Sequence, residues 1–141
     1  APVAPVAPPV AAPPAPAPCL PVIGLPFARA SSRLDLADID DRTLMLRRWM
    51  EEHPTAVLSV EGHADTSGTE DYNVVLSFSR ARAVIAWLAR AGVPEARMMP
   101  RAAGTSQPRN LPSGTTTNRL VILQVDGVEI CRDATGAARQ P

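Results

Sequence analysis

An aspartate in a glycine-bounded loop and an arginine on the following predicted helix are the residues most suited to chemistry in this chain. Arg80 lies four residues after Leu76 and four before Val84, so it falls in the apolar row of that helix. A cation there must meet a buried partner or reach past the helix start, because an unpaired buried charge is costly. Asp65 belongs to the loop at 62–68, and the strand–loop–helix order brings it to the same end of the domain. The two side chains therefore flank a predicted site.

Two interpretations of this pair remain open. In the structural one, Asp65 and Arg80 form an internal salt bridge that ties the loop to the helix. In the functional one they receive a zwitterion, because a planar guanidinium fits a carboxylate and an aspartate accepts hydrogen bonds from an ammonium. Main-chain N–H groups at the helix start would add donors for an anionic group.

His63 and Asp65 have a His-x-Asp spacing that would also suit metal ligation, and Ser67 follows them. The other histidine, His53, falls at the predicted end of a helix, so no third ligand is near. A Ser67–His63–Asp65 triad is disfavoured, since a triad needs its members held by separate elements. We expect no metal, no cofactor and no catalytic residue, and we predict that His63 is a packed, hydrogen-bonded loop residue.

Composition divides the 141-residue chain and disfavours two classes of function. The first 18 residues are eight prolines, seven alanines and three valines. Because proline disrupts helices and central strands, we interpret residues 1–19 as an extended linker rising about 3.1 Å per residue. The 14 basic and 14 acidic residues balance, which argues against a nucleic-acid partner. No apolar run approaches the ~20 residues of a membrane helix.

Apolar periodicity predicts alternating strands and helices within one domain at 20–127, followed by a tail at 128–141. Strands are predicted at 22–28, 56–62, 97–103 and 120–125, and helices at 38–52 and 73–91. Gly92 is placed to cap the second helix at its C-terminus. The expected core face of that helix is Leu76, Ala83, Val84, Trp87 and Leu88. This β-α-β-α-β-β order predicts a two-layer α/β sandwich, a mixed sheet with helices on one face.

Three stretches of the sequence resemble the OmpA-like peptidoglycan-binding domain. That family has a G-H-T-D-x-x-G loop, then N-x-x-L-S-x-x-R-A and an amphipathic helix ending at Gly-Val. The matching stretches are Gly62-His63-Ala64-Asp65-Thr66-Ser67-Gly68, then Asn73 with Leu76-Ser77-Phe78-Ser79-Arg80-Ala81, and Gly92-Val93. Gly104, Pro108 and Asn118-Arg119 follow in the family's order, so the resemblance covers roughly residues 22–125.

The resemblance implies noncovalent binding of the peptidoglycan stem peptide through the zwitterionic end of diaminopimelate. Asp65 matches the family residue that takes the ammonium, and Arg80 matches the one that takes the carboxylate. The other candidate site residues are Asn73, which shapes the loop, Leu76 at the pocket wall, Thr66 and Arg119. This assignment agrees with the zwitterion interpretation above.

Two positions depart from the family pattern. Ala64 replaces the usual threonine, which removes a hydroxyl beside the aspartate, and Leu120 stands where a second arginine often follows Asn118-Arg119. Any contact made by that second arginine is absent from this chain.

The family's fold would also allow Cys19 and Cys131 to pair, since one precedes the first strand and the other follows the last. The alternative is two unpaired thiols. A disulfide here would close a loop of more than a hundred residues, a constraint worth about 4–5 kcal/mol. It would also fit an oxidising compartment.

The resemblance therefore predicts a nonenzymatic periplasmic module that binds peptidoglycan, with the linker leading from an N-terminal anchor. We expect a tether to the outer membrane, and the anchor types that remain open are an outer-membrane barrel, a lipoprotein and an inner-membrane segment. The alternatives are a structural or protein-interaction module of an envelope assembly with no ligand, and a cell-wall hydrolase.

Overall fold

The computed structural model describes residues 19–35, 39, 41–66, 68–106 and 117–131. The predictions made for the linker at 1–18, the start of the first helix at 38 and 40, Ser67, Pro108 and the tail beyond 131 lie outside the described residues.

Four strands form one mixed sheet: β1 (Ile23–Pro26), β2 (Leu58–Gly62), β3 (Met98–Ala102) and β4 (Leu120–Val125). Their order is β1-β4-β2-β3, with β4 antiparallel to both of its neighbours and β2 parallel to β3. The strand predicted at 120–125 is confirmed, and the other three are shorter than predicted at one or both ends.

The register of the strands brings three chain segments to one end of the sheet. Pro26 pairs with Leu120, and Gly62 pairs with Val121. The end of β1, the end of β2 and the start of β4 therefore coincide. We call this edge, defined by Pro26, Gly62 and Leu120, the loop end of the sheet.

Two helices cover one face of the sheet, α1 (Asp41–Glu52) and α2 (Glu70–Arg90), and a short 3-10 turn (Glu95–Arg97) leads into β3. Buried residues of both helices join residues of all four strands in one hydrophobic cluster. A smaller cluster on the opposite face contains Val22, Leu120 and Ile122. This arrangement confirms the two-layer α/β sandwich. Within the described residues, neither helix has the length and apolar composition of a membrane span.

The second helix begins at Glu70, earlier than the predicted start at 73. The prediction missed the first turn because that turn is polar. Thr69 caps it, and the Thr69 hydroxyl accepts a hydrogen bond of 3.1 Å from the Tyr72 main-chain N–H. Glu70 and Asp71 then place carboxylates in the first turn, where they favour the helix dipole. Sequence periodicity assigned these residues to the preceding loop because none of them is part of an apolar stripe.

The predicted C-terminal cap of α2 is confirmed. Gly92 adopts a φ of 110°, a left-handed conformation that glycine takes without a Cβ clash. Val93 N–H donates to the Leu88 carbonyl and Gly92 N–H donates to the Ala89 carbonyl, both typical of a Schellman motif.

The buried face of α2 is rotated from the predicted one. Val84 and Leu88 are buried as expected, whereas the predicted core residues Leu76, Ala83 and Trp87 are half-buried. Asn73, Ser77, Arg80, Ala81 and Ile85 are buried instead. The reason is a close helix–strand approach, in which a Cβ on Gly62 would overlap the Ser77 carbonyl oxygen. Small residues occupy this contact, and a pattern of large apolar residues does not reveal it.

Cys19 and Cys131 form the predicted disulfide, with their Cα atoms 4.9 Å apart. Beside the bridge, Leu20 pairs with Ile130, and the Cys131 N–H donates to the Leu20 carbonyl. Because Cys19 precedes β1 and Cys131 follows β4, the crosslink lies at the opposite end of the sheet from the loop end.

Candidate functional site

Asp65 lies in the loop that joins β2 to α2, at the loop end of the sheet. The main chain just before it is held from three sides. His63 N–H donates to the carbonyl of the first residue of β4 at 2.8 Å, and Ala64 N–H donates to the Gly104 carbonyl at 2.8 Å. The Asn118 side-chain amide donates to the Ala64 carbonyl at 2.9 Å. These bonds fix the direction in which the Asp65 side chain leaves the domain.

Arg80 points from α2 into the interior beneath this loop, and its exposed fraction is 0%. Its guanidinium donates three hydrogen bonds to main-chain carbonyl oxygens: Nε to Ser31 at 2.8 Å, Nη1 to His63 at 2.8 Å and Nη2 to Ala28 at 3.1 Å. The guanidinium carbon also lies 5.6 Å from the Phe27 ring centroid. The partners of this cation are therefore main-chain carbonyl groups of two chain segments, and of the three bonds the one to His63 is buried and the other two are partly buried.

Burial lowers the pKa of Arg80, because desolvation disfavours the charged form. The Asp65 carboxylate opposes this change by raising the pKa, and the Arg119 cation lowers it further. Arginine titrates so far above neutral pH that the guanidinium stays charged. The site therefore contains a buried, charged Arg80 that interacts electrostatically with both Asp65 and Arg119.

Asp65 forms an ion pair with Arg119, whose Nη1 lies 3.4 Å from Asp65 Oδ2. The Asp65 side chain is 28% exposed and the Arg119 side chain is 33% exposed. Arg119 Nε also donates to the Phe27 carbonyl at 3.3 Å. Asp65 thus has an ion-pair partner in Arg119, and its carboxylate also interacts electrostatically with the buried Arg80. Solvent reaches Asp65 and Arg119 but not Arg80.

The remaining predicted site residues lie in the loop or on the first turns of α2. Thr66 is exposed next to Asp65, Asn73 is buried and Leu76 is half-buried. Because Asn73, Leu76 and Arg80 are three and four residues apart, they follow one side of the helix. The predicted residues thus lie toward the loop end. Of the charged groups, Arg80 is buried, whereas Asp65 and Arg119 are partly exposed.

His63 is buried, as predicted for a packed loop residue. Its Nδ1 lies 3.1 Å from the Ser106 carbonyl oxygen, a hydrogen-bonding distance that confirms the predicted interaction type. Its Nε2 lies 2.7 Å from Glu61 Oε1, an ion pair when the imidazole is protonated. His53 lies elsewhere, stacked on Trp49 with ring centroids 3.9 Å apart. No group of three His, Cys, Asp or Glu side chains among the described residues is placed to hold a metal.

Sequence reasoning did not identify Ala28 and Ser31 as parts of this site. They contribute main-chain carbonyl oxygens, and a carbonyl leaves no mark in the residue type. The turn that presents them includes Ala30, with a left-handed φ of 56°. The place of Asn118 in the family order marked it in the sequence. The resemblance did not predict its hydrogen bond to the Ala64 carbonyl.

Comparison with known proteins agrees with this fold. Residues 27–120 match the model of the OmpA family. This chain belongs to the OmpA family. The OmpA-family chain is 38% identical over 72 residues to the peptidoglycan-associated lipoprotein of Agrobacterium fabrum, a match covering 51% of this chain and 41% of that protein. It is 35% identical over 82 residues to the peptidoglycan-associated lipoprotein of Brucella melitensis, covering 58% of this chain and 49% of that protein. The chain therefore spans less than half the length of these relatives.

Solved structures share the fold of this OmpA-family domain. The peptidoglycan-associated lipoprotein from Burkholderia pseudomallei superposes with a TM-score of 0.63 at 24% identity, covering 73% of this chain and 89% of that one. A MotB-like protein from Desulfovibrio vulgaris gives a TM-score of 0.53 at 21% identity, covering 74% of each chain. At these identities the likeness concerns the fold.

Proposed function

We propose that this OmpA-family domain binds peptidoglycan noncovalently through the diaminopimelate of the stem peptide, and so anchors an envelope protein to the cell wall. Family membership and the names of the lipoprotein relatives support the peptidoglycan part. The observation that carries the ligand class is the partly exposed Asp65 carboxylate, with the cationic Arg119 beside it. A carboxylate and a guanidinium, both open to solvent, complement a group that bears an ammonium and a carboxylate.

In this proposal Asp65 accepts hydrogen bonds from the ligand ammonium. The carboxylate on the same carbon faces the cationic side of the site, where Arg80 and Arg119 lie. Thr66, Asn73 and Leu76 line the approach to Asp65. Each charge-assisted hydrogen bond contributes about 1.5–3 kcal/mol, so the affinity for one stem peptide is modest. The wall polymer presents many copies, and retention then depends on effective concentration.

The proposal places the domain in the periplasm, tethered to the outer membrane and nonenzymatic. The confirmed disulfide supports an oxidising compartment, since structural disulfides persist where thiols are not kept reduced. Binding without a chemical step needs only the charged groups already described at the loop end.

The direct test is calorimetric titration of the full 141-residue chain with a diaminopimelate-type muropeptide and its lysine-type counterpart. We expect saturable binding that prefers the diaminopimelate form. Asp65→Asn, which keeps the side-chain shape and removes the charge, should lower that affinity at least about tenfold. Asp126→Asn is the matched control, because Asp126 is exposed after β4 at the opposite end of the sheet and should leave affinity unchanged.

A module without a ligand predicts a different result. Wild-type protein would then give no saturable heat with either muropeptide, and Asp65→Asn would change only the melting temperature through its pair with Arg119. Equal affinities of the wild type and a well-folded Asp65→Asn variant would also contradict the proposal.

A further inference from the structure

We infer that the outer face of α2 pairs with the same face of a second copy of this chain, with the two helices antiparallel. This pairing goes beyond the proposed function and does not depend on it. It is carried by four residues in the first half of α2, Asp71, Val75, Phe78 and Arg82, which we call the outer stripe.

The outer stripe contains two large apolar side chains that the domain leaves exposed. The exposed fraction is 65% for Val75 and 44% for Phe78, and Val74 beside them is 40% exposed. Seven residues after Phe78, on the same side of the helix, Ile85 is 1% exposed. The apolar side is therefore packed in the second half of α2, whereas in the first half the described residues leave it open to solvent.

Helix formation does not account for these residues. Valine has a lower helix propensity than most unbranched residues, yet Val74 and Val75 both occupy exposed helical positions. Because Phe78 follows them by four and three residues, the three side chains are neighbours on the helix surface. Single apolar residues on a surface are ordinary, but a contiguous apolar group indicates a contact surface.

The spacing of the outer stripe suits a contact between two helices. Its members are separated by four, three and four residues, the spacing that places side chains along the seam of a helix pair. Val75 and Phe78 form the middle of this seam, and Asp71 and Arg82 form its ends. Apolar residues at the centre with charged residues at the rim are typical of protein interfaces.

The order of the charges indicates a second copy of this chain as the partner. The midpoint between Asp71 and Arg82 is also the midpoint between Val75 and Phe78. A twofold axis through that point brings Asp71 opposite the partner's Arg82, and Val75 opposite the partner's Phe78. A closed twofold contact requires such a self-complementary surface. A parallel pair would instead place like charges opposite each other at both ends, which disfavours it.

Both charged ends are accessible to a partner. Asp71 is exposed in the first turn of α2. The Arg82 side chain is 50% exposed, and its ion pair with Glu95, itself 60% exposed, has a distance of 3.9 Å. Long, exposed ion pairs of this kind are weak, so Arg82 can exchange Glu95 for the partner's Asp71.

The pairing would also bring two loop ends together. With a rise of about 1.5 Å per residue, the N-termini of the two α2 helices would lie about 20 Å apart along their shared direction. If each loop end binds a stem peptide as proposed, the dimer binds two. Retention on a polymer then increases through effective concentration.

The test is sedimentation equilibrium of the full 141-residue chain. One helix face is smaller than the interfaces of about 1,600 Å² that give micromolar to picomolar affinity, so we expect a reversible dimer that forms between about 10 µM and 1 mM. Phe78→Glu would bury a charge at the centre of the contact and should weaken dimerisation at least about tenfold. Met45→Glu is the matched control, because Met45 is 65% exposed on α1, outside the outer stripe. It should leave the dimer unchanged.

An exchange of charges tests the orientation. Asp71→Arg gives each end of the contact two cations and should weaken the dimer. Asp71→Arg combined with Arg82→Asp restores opposite charges at both ends and should recover wild-type dimerisation. Melting temperatures show whether each compared variant is folded.

Three results would contradict the inference. A wild type that stays monomeric at the highest concentration overturns it, whether another segment of the chain or a different protein covers the apolar group. A folded Phe78→Glu variant that dimerises like the wild type overturns the choice of face. If the double exchange fails to recover the dimer lost in Asp71→Arg, the antiparallel register is wrong. The muropeptide titration is a separate measurement, so the proposed function stands or fails independently of these results.

Discussion

Arg80 and His63 are joined by a hydrogen bond of 2.8 Å from Nη1 to a main-chain carbonyl oxygen, which ties α2 to the segment that leads into Asp65. Arg97 repeats this arrangement at the other side of the domain. Its Nε donates to the Ala56 carbonyl at 3.0 Å and its Nη1 to the Met50 carbonyl at 2.8 Å, at the C-terminal end of α1. Both arginines therefore satisfy carbonyl groups that local secondary structure leaves without donors.

Replacing Arg80 should destabilise the domain strongly. Arg80→Met keeps an unbranched apolar stem but removes all three donors, so the buried bond to the His63 carbonyl and the partly buried bonds to the Ser31 and Ala28 carbonyls are lost. We expect the free energy of unfolding to fall by about 3–5 kcal/mol, measured by urea denaturation followed by circular dichroism.

Arg97→Met is the matched control, because it also removes a guanidinium from several carbonyls but lies away from the loop end. It should lower stability and leave the muropeptide affinity of the folded protein unchanged, whereas Arg80→Met should weaken both. If Arg80→Met had the same free energy of unfolding as the wild type, the carbonyl contacts would make no contribution to stability.

The close approach of α2 to β2 makes Gly62 intolerant of any side chain. A Cβ there would overlap the Ser77 carbonyl oxygen, a main-chain atom that cannot turn aside. Gly62→Ala should therefore lower the free energy of unfolding by about 3 kcal/mol and weaken muropeptide binding by moving the loop before Asp65.

Gly92→Ala provides the comparison for Gly62→Ala. At Gly92 a Cβ meets nothing within 4 Å, and the penalty comes only from the φ of 110°. Gly92→Ala should lower the free energy of unfolding by about 1–2 kcal/mol without changing the muropeptide affinity. An equal effect of the two substitutions on affinity would argue against the packing explanation.

The disulfide should support stability without affecting the binding site. Cys19→Ser/Cys131→Ser removes the crosslink at the end of the sheet far from Asp65. The free energy of unfolding should therefore fall by about 2–5 kcal/mol. Muropeptide affinity should match wild type. Guanidinium denaturation with and without reductant measures the first effect, and the double variant, having no bridge, should not respond to reductant. A wild-type midpoint that reductant does not move would count against this role.

The element order, the mixed sheet and the Gly92 cap were predictable because each depends on a local pattern. The pairing of Cys19 with Cys131 needed one step more, since it required the first and last strands to be antiparallel neighbours. The family resemblance supplied that step, and the register of β1 with β4 confirms it.

The phase of α2 and the partners of the charged residues were not predictable from local pattern. The buried face of α2 follows from the contact between Gly62 and Ser77, which lie on different elements. The pairing of Asp65 with Arg119 depends on β4 lying between β1 and β2, which brings the start of β4 to the loop after β2. Local periodicity therefore reveals neither the buried face of α2 nor the ion pair of Asp65 with Arg119.

The position of the crosslink has a mechanical consequence. β1 is an edge strand of four residues, joined to the sheet through β4 alone. Tension applied along residues that precede Cys19 would otherwise peel β1 from β4 one hydrogen bond at a time. With the Cys19–Cys131 bridge in place, the load passes at once to the far end of β4, an inner strand held on both sides. If a ligand is held at Asp65 as proposed, force between that ligand and the residues before Cys19 would run lengthwise along the sheet, the direction in which many hydrogen bonds must shear together.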